Sequence, residues 1–267
     1  MNYSFFYSRG SAGYVRGEQI ADLLGGKKNP ESGFENDICV YVKILPPENP
    51  PKHSYLDVDD APRAVTYLKE HPEVGVIATS DYSNRYLSRE LNREDIVTIP
   101  HAHCNYERWV RPDREVKIIG IIGSKTSFQY DIMNFRQRLK EIGLELSYNE
   151  DYWKTYQYSR EKVCEFYKFI DVQVVWRPKM YAPTFKNPNK LVNAGSFGIP
   201  TISYPEDNFL AEWGDNFIQA DTIDYMIWLC NFLRAKEDAY NLWSKKALVK
   251  AEECHKDNII ELYRGLK

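Results

Sequence analysis

Short apolar runs of strand length recur along the chain, and most are followed by a stretch with helical spacing. Tyr3 to Ser8, Asp37 to Leu45, Val74 to Ala78 and Ile96 to Ile99 read as four buried strands. A second set begins at Val116 to Ile122 and continues through Leu144 to Leu146, Asp171 to Trp176, Thr201 to Ser203 and Asn216 to Gln219. Ile20, Ala21, Leu23 and Leu24 mark a helix that stops at Gly25-Gly26. Further helices are expected over Ser83 to Leu91, around Ile132, Phe135, Leu139 and Ile142, up to Phe169, over Asp221 to Leu233, and from about Ala235 to the end. Strands alternating with helices predict an α/β protein. Each half opens strand, turn, helix, which predicts two Rossmann-like domains facing a cleft, in a compact form because the chain is short. The charged, Pro112-containing stretch RWVRPDRE (108–115) is the expected linker, so the domains divide as 1–112 and 113–246, with a terminal helix over 247–267.

Composition narrows the class without selecting a function. The chain has 267 residues, 43% hydrophobic and 27% charged, as in ordinary globular proteins. A net charge of −3 gives no global basic field for nucleic acid or membrane, although a local basic cleft is compatible with it. The five cysteines (Cys39, Cys104, Cys164, Cys230, Cys254) are widely spaced and suit free thiols in a reducing cytoplasm. No signal peptide and no membrane-length apolar run is read in the chain.

The densest signal is TFKNPNKLVNAGSFGIPTIS, residues 184–203. Asn187 is expected as N-cap with Pro188 at the first helical position, and Gly198 as the left-handed residue that ends the helix before Pro200. Lys190 near the helix start would join free backbone N–H groups in an anion site. Ala194, Gly195 and Ser196 are small enough to admit a close neighbour. Arg177, Lys179 and Lys186 lead into this helix and extend the cationic character, which suits a diphosphate. Glu206, after the next strand, is placed to meet donor hydroxyls.

Elsewhere several readings stand side by side. The loop RGSAGYVRG could bring Gly13 and Arg16 to a substrate, or pack against the sheet with a solvated Arg16. Asp57, Asp59 and Asp60 look like a D-x-D metal motif, but Asp60 before Pro62 also reads as a helix start, which is preferred. Asp81, after a strand, is a candidate base or acceptor ligand, or a helix cap. In HAHCNYERWVR, His101 and His103, with Asn105 beside them, form a metal pair, a proton-transferring or substrate-orienting site, or hydrogen-bonding groups at a hinge.

Residues 184–203 resemble the donor-site segment of GT-B glycosyltransferases, (S/N)-K-L-x-E-A-x-A-x-G-x-P-V-I. Asn189, Lys190 and Leu191 stand for N-K-L, and Ala194, Gly198, Ile199 and Pro200 occupy matching positions. Asn193 stands where many retaining members carry the second Glu of a pair that holds the donor ribose; the first would fall near Phe185. The resemblance implies a metal-independent enzyme that moves a sugar from a nucleotide donor, UDP-linked first of all, to a hydroxyl of a glycan, a small molecule or a modified DNA base. It implies that Gly123, Ser124 and Lys125 help bind the diphosphate, together with Arg177, Lys186 and Lys190. It also implies a last helix that crosses back to the first domain. A GT-B-like binding module without catalysis is the alternative.

Overall fold

Among the described residues every strand pairs in parallel with its neighbours. The computed structural model describes residues 2–8, 10, 12–59, 63–113, 115–123, 127–148, 159–179 and 187–267. They divide into two units: Met1–Ala102, Ala182–Asn187 and Lys256–Lys267 form one, and His103–Tyr181 with Pro188–His255 the other.

The first unit carries β1 (Tyr3–Tyr7), β2 (Lys27–Lys28), β3 (Ile38–Val42), β4 (Ser54–Val58), β5 (Gly75–Ala78) and β6 (Val97–Thr98). They form one sheet in the order β2-β1-β3-β4-β5-β6. β3 is buried at every position, as a parallel strand covered on both faces must be. Its period of two separates the faces. Ile38, Val40 and Val42 join Phe5, Ile20, Ile259 and Tyr263 on one side, while Cys39 and Tyr41 join Leu56, Leu68 and Leu87 on the other. Helices α1 (Gln19–Leu24), α2 (Ala64–Glu70) and α3 (Asp81–Leu91) connect the strands.

β4 departs from the sequence expectation. Its sequence, SYLDV, puts Ser54 and Asp57 into an apolar run, which hid the strand from pattern reading. Asp57 sits in full register between Val42 of β3 and Ile77 of β5.

The second unit carries β7 (Ile118–Ile121), β8 (Glu145–Tyr148), β9 (Val172–Val175), β10 (Thr201–Ser203) and β11 (Ile218–Gln219), ordered β11-β10-β9-β7-β8. Its helices are α4 (Ile132–Glu141), α5 (Arg160–Phe169), α6 (Asn189–Ser196), α7 (Asp207–Trp213), α8 (Ile223–Ala235) and α9 (Glu237–Glu252). α7 occupies a stretch for which no element was expected. The close neighbour of α6 is α9: a Cβ on Gly195 would stand 2.7 Å from the Ala247 carbonyl oxygen and 2.9 Å from the Trp213 ring. Gly195 therefore serves helix packing. The C-terminal helical run breaks after Glu252, and α10 (Lys256–Arg264) belongs to the first unit, where Ile259 and Tyr263 are core residues.

All five cysteines are free thiols. Among the described residues no helix is long and apolar enough to cross a membrane.

Candidate functional site

In the second unit α6 begins one residue later than expected. Pro188 is its N-cap and Asn189 its first residue; Asn187 instead donates its side-chain amide to Asp59 at 2.8 Å. Gly198 adopts the expected left-handed conformation, with φ 68°. The start of α6 is anchored from the sheet below. Gln173 of β9 donates to the Lys190 carbonyl at 3.0 Å and to Thr201 at 2.9 Å, and accepts from the Tyr167 hydroxyl at 2.8 Å. A buried amide so satisfied holds the helix in one register on the strands.

Lys190 reaches from α6 to the end of β7, where its ammonium donates to the Ile122 carbonyl at 2.9 Å. Gly123 follows with φ 113°, a conformation other residues rarely adopt. A Cβ there would collide with Lys190 Nζ and lie 2.7 Å from Ser127 Oγ. The glycine is what lets the ammonium reach this strand end, at the C-terminal edge of a parallel sheet where ligands bind in such folds. Ser124, Lys125 and Lys186, three expected donor ligands, lie outside the described residues.

The hydrogen bonds give four further expected site residues partners within the protein. Arg177 and Glu206, expected to meet phosphate and sugar hydroxyls separately, pair with each other at 2.7 and 2.6 Å in bidentate geometry. Glu206 is buried, so its carboxylate offsets the Arg177 charge locally. Asn193, expected against the ribose, accepts from the Cys104 backbone N–H at 2.8 Å and donates to Asn189 at 2.9 Å. Asn105, expected at the acceptor, is buried, donates to the carbonyls of Trp109 and Ser196, and accepts from Trp109 N–H. Both asparagines fasten the segment around residue 104 onto α6, because a buried amide must spend its donors and acceptors on neighbours.

The histidines fall in different units. His103 belongs to the second, and its backbone N–H donates to the Cys254 carbonyl at 3.0 Å. Its ring lies 5.2 Å from the ring of His255. Burial lowers the pKa of His103 to about 4, so it is neutral at pH 7. His255 has its Nε2 at 3.2 Å from the Tyr106 carbonyl and its Nδ1 at 3.0 Å from the Arg108 guanidinium. The carbonyl accepts and the guanidinium donates, which fixes the tautomer with the proton on Nε2. This corner of the unit is hydrogen-bonding structure.

His101 belongs to the first unit and lies in a buried charge cluster that the sequence did not reveal. Arg16 (1% exposed) bonds Asp57 (0%) at 2.6 Å through Nε. Asp59 (1%) faces His101 Nε2 at 3.4 Å and Lys43 Nζ at 3.7 Å. Burial disfavours charge on Arg16, but Asp57 outweighs it and holds the guanidinium protonated. Burial likewise opposes charge on Asp59, and His101 outweighs it, with help from Lys43 and Arg16, so the carboxyl lies well below the usual range. Asp57 and Asp59 thus face Arg16 and Lys43, with His101 beside them. Arg16 Nη2, Asp57 Oδ1, the Tyr263 hydroxyl and both ring nitrogens of His101 are buried without a hydrogen-bond partner. Such atoms mark a place where water or a ligand group completes the bonding.

Arg16 is therefore neither solvated nor on an open loop. It sits in a π-helical turn, Gly13–Glu18, that runs into α1. Gly13 is a packing glycine here, since a Cβ on it would collide with the Ser8 carbonyl. Asp81 is exposed in the first turn of α3, and the cap is Ser80, in a reciprocal capping box with Ser83. Among the described residues no three His, Cys, Asp or Glu side chains gather as a metal site. A cavity of about 350 Å³ in the second unit, lined by Asp113, Glu115, Arg234, Glu237 and Tyr240 among others, includes none of the expected site residues.

No protein-family model and no curated protein sequence matches the chain. Solved structures do. WaaG, a glycosyltransferase involved in lipopolysaccharide biosynthesis, is similar with a TM-score of 0.63 and 9% identity, over 99% of this chain and 98% of its own. Sucrose-phosphate synthase from Thermosynechococcus elongatus is similar with a TM-score of 0.59 and 11% identity, over 100% of this chain and 99% of its own. TarM of S. aureus, crystallised with fondaparinux, α-GlcNAc-glycerol and UDP, is similar with a TM-score of 0.58 and 14% identity, over 85% of this chain. The match covers 55% of TarM, so this chain spans about half the length of that protein. The fold is GT-B: two units of parallel sheet with alternating helices, as in these glycosyltransferases.

Proposed function

We propose that this protein transfers a glycosyl group from a nucleoside diphosphate sugar, with a UDP-sugar first in order, to a hydroxyl acceptor. The observation that carries the reading is Lys190, whose ammonium is held at the C-terminal end of β7 beside Gly123. One of its three N–H groups is spent on the Ile122 carbonyl, which fixes the ammonium in place. In this reading Lys190, rather than a bound metal, opposes the charge that develops on the departing diphosphate. The glycosyltransferases that share the fold, one of them crystallised with UDP, support the same reaction class.

In the first unit the reading assigns the acceptor proton to His101. His101 Nε2 lies 3.4 Å from Asp59, and a ring nitrogen without a hydrogen-bond partner takes the proton of the attacking hydroxyl. The imidazolium so formed gains the full attraction of the Asp59 carboxylate. The acceptor oxygen bonds the anomeric carbon as the bond to the diphosphate breaks.

A second reading, a GT-B-fold binding module without transfer, is favoured by one feature: Asn193 stands where a ribose-binding Glu was expected and has its amide committed to Cys104 and Asn189. Calorimetry with UDP, GDP, ADP and CDP, followed by a hydrolysis and transfer screen across their sugars, separates the readings. Nucleotide binding with turnover, both weakened in Lys190→Met, supports the enzyme. Nucleotide binding with no turnover of any donor supports the module, and no nucleotide binding by the wild-type protein overturns both.

A further inference from the structure

Asn187 stands just before α6, where an asparagine ordinarily caps the helix, yet it leaves that role to Pro188, which has no side-chain acceptor. Its amide is spent in the first unit, where Nδ2 donates to Asp59 Oδ1 at 2.8 Å. His101 Nε2 lies 3.4 Å from the same carboxylate oxygen, and Lys43 Nζ lies 3.7 Å from the other. The amide is thus the closest of the three groups that face Asp59. Asp59 and His101 are both buried, at 1% and 4% exposure.

The three neighbours act on the carboxylate differently. The last torsion of an aspartate is soft, so attraction to a cation or an imidazole beyond hydrogen-bonding contact leaves its direction loosely set. A hydrogen bond at 2.8 Å is directional and fixes it. Both ring nitrogens of His101 are without a hydrogen-bond partner, so the ring does not supply that bond. Asn187 does, and as a neutral amide it orients Asp59 without neutralising it. The charge of the carboxylate stays available to His101.

We propose that Asn187 is a positioning residue for the transfer reaction, acting through Asp59 on His101. It holds Oδ1 beside the ring, so the carboxylate is already in place when His101 takes the proton of the attacking hydroxyl and need not turn at that moment. The proposal rests on the reading of His101 as the group that takes this proton. Asn187 lies three residues before Lys190, so one short stretch of chain carries both the ammonium assigned to the donor and a group that acts on the acceptor proton.

The test is a double-mutant cycle in the full chain. Asn187→Ala is expected to lower kcat by about 10-fold, the weight of one hydrogen bond to a charged group, with nucleotide affinity by calorimetry unchanged. Asp59→Ala lowers kcat by about 10²-fold. A residue that acts through another has nothing to act on once that one is gone, so the double variant is expected at about 10²-fold, no worse than Asp59→Ala alone. A double variant at about 10³-fold, an unchanged kcat in Asn187→Ala, or an equal fall in kcat and nucleotide affinity overturns the proposal. A second readout needs no turnover. In protein carrying isotope-labelled histidine, the His101 ring resonances are expected to move in Asn187→Ala, and to move no further when that change is added to Asp59→Ala. Resonances that stay in place in Asn187→Ala overturn the proposal whatever the kinetics. If the wild-type protein turns over no donor, the transfer reading falls, and the ring resonances still decide whether Asn187 acts on His101. Asn187→Leu, similar in size to the amide but without its donor, replaces Asn187→Ala where that variant does not fold, and the resonances of the Asn187 variant decide alone where Asp59→Ala does not.

Discussion

Removing Asp57 tests the least expected feature of the molecule. Arg16 is enclosed in the first unit, its Nε bonded to Asp57 at 2.6 Å and its Nη2 without a partner. Asp57→Ala leaves this guanidinium buried, with Asp59 as the remaining nearby carboxylate and Asp59 already engaged by His101, Lys43 and Asn187. Breaking a buried pair from one side costs about 3–5 kcal/mol. At a urea dependence of about 2 kcal/mol per molar, the unfolding midpoint of the first unit falls by roughly 2 M. Two units can unfold separately, so the loss is read by hydrogen exchange at the β3 and β4 amides against denaturant, not from a whole-chain curve. Asp57→Leu combined with Arg16→Met removes both desolvation costs and recovers most of the loss. A loss below about 1 kcal/mol in Asp57→Ala would show that Arg16 reaches water in solution, and the buried cluster would no longer explain the position of His101.

Other expectations follow from single contacts. Asp59→Asn removes the carboxylate facing His101 and lowers kcat for transfer by about 10²-fold, the lower end for general base catalysis, with donor affinity unchanged by calorimetry; an equal fall in both would contradict the assignment. Gly195→Val forces side-chain atoms against the Ala247 carbonyl and Trp213, and destabilises the α6–α9 contact by about 1–3 kcal/mol, read as lost exchange protection in both helices. His103, held to a pKa of about 4 when folded, takes up its proton more readily unfolded, at the ordinary 6.5. Stability conferred by the neutral ring is therefore complete above pH 6.5 and falls as pH drops towards 4, by about 3 kcal/mol in all. His103→Gln should flatten that part of the stability profile, and an unchanged slope would place the titration elsewhere.

How legible the molecule was depended on whether a feature was local. The apolar runs at Val74 to Ala78 and Val116 to Ile122 announced β5 and β7 because a parallel strand covered on both faces is apolar throughout. The ends of α6 were readable to within a residue or two from Pro188 and Gly198. β4 escaped because Asp57 is a charged residue inside the sheet, tolerable only with Arg16 as partner from 41 residues away. Asn105 and Asn193 looked like ligand groups for a related reason. A polar residue near a motif carries the same letter whether it meets a substrate or a neighbouring backbone amide.

The sequence by itself determined the α/β class, the strand–helix alternation and most of the elements, because periodicity, caps and breakers act over a few residues. Only the tertiary structure decided which charges are spent on each other. It paired Arg177 with Glu206 and Arg16 with Asp57, set Asp59 beside His101 and Asn187, and turned His103 towards His255. Those outcomes depend on burial and on partners distant in sequence. The cost of an unpaired buried charge, felt only once the chain is packed, selects them.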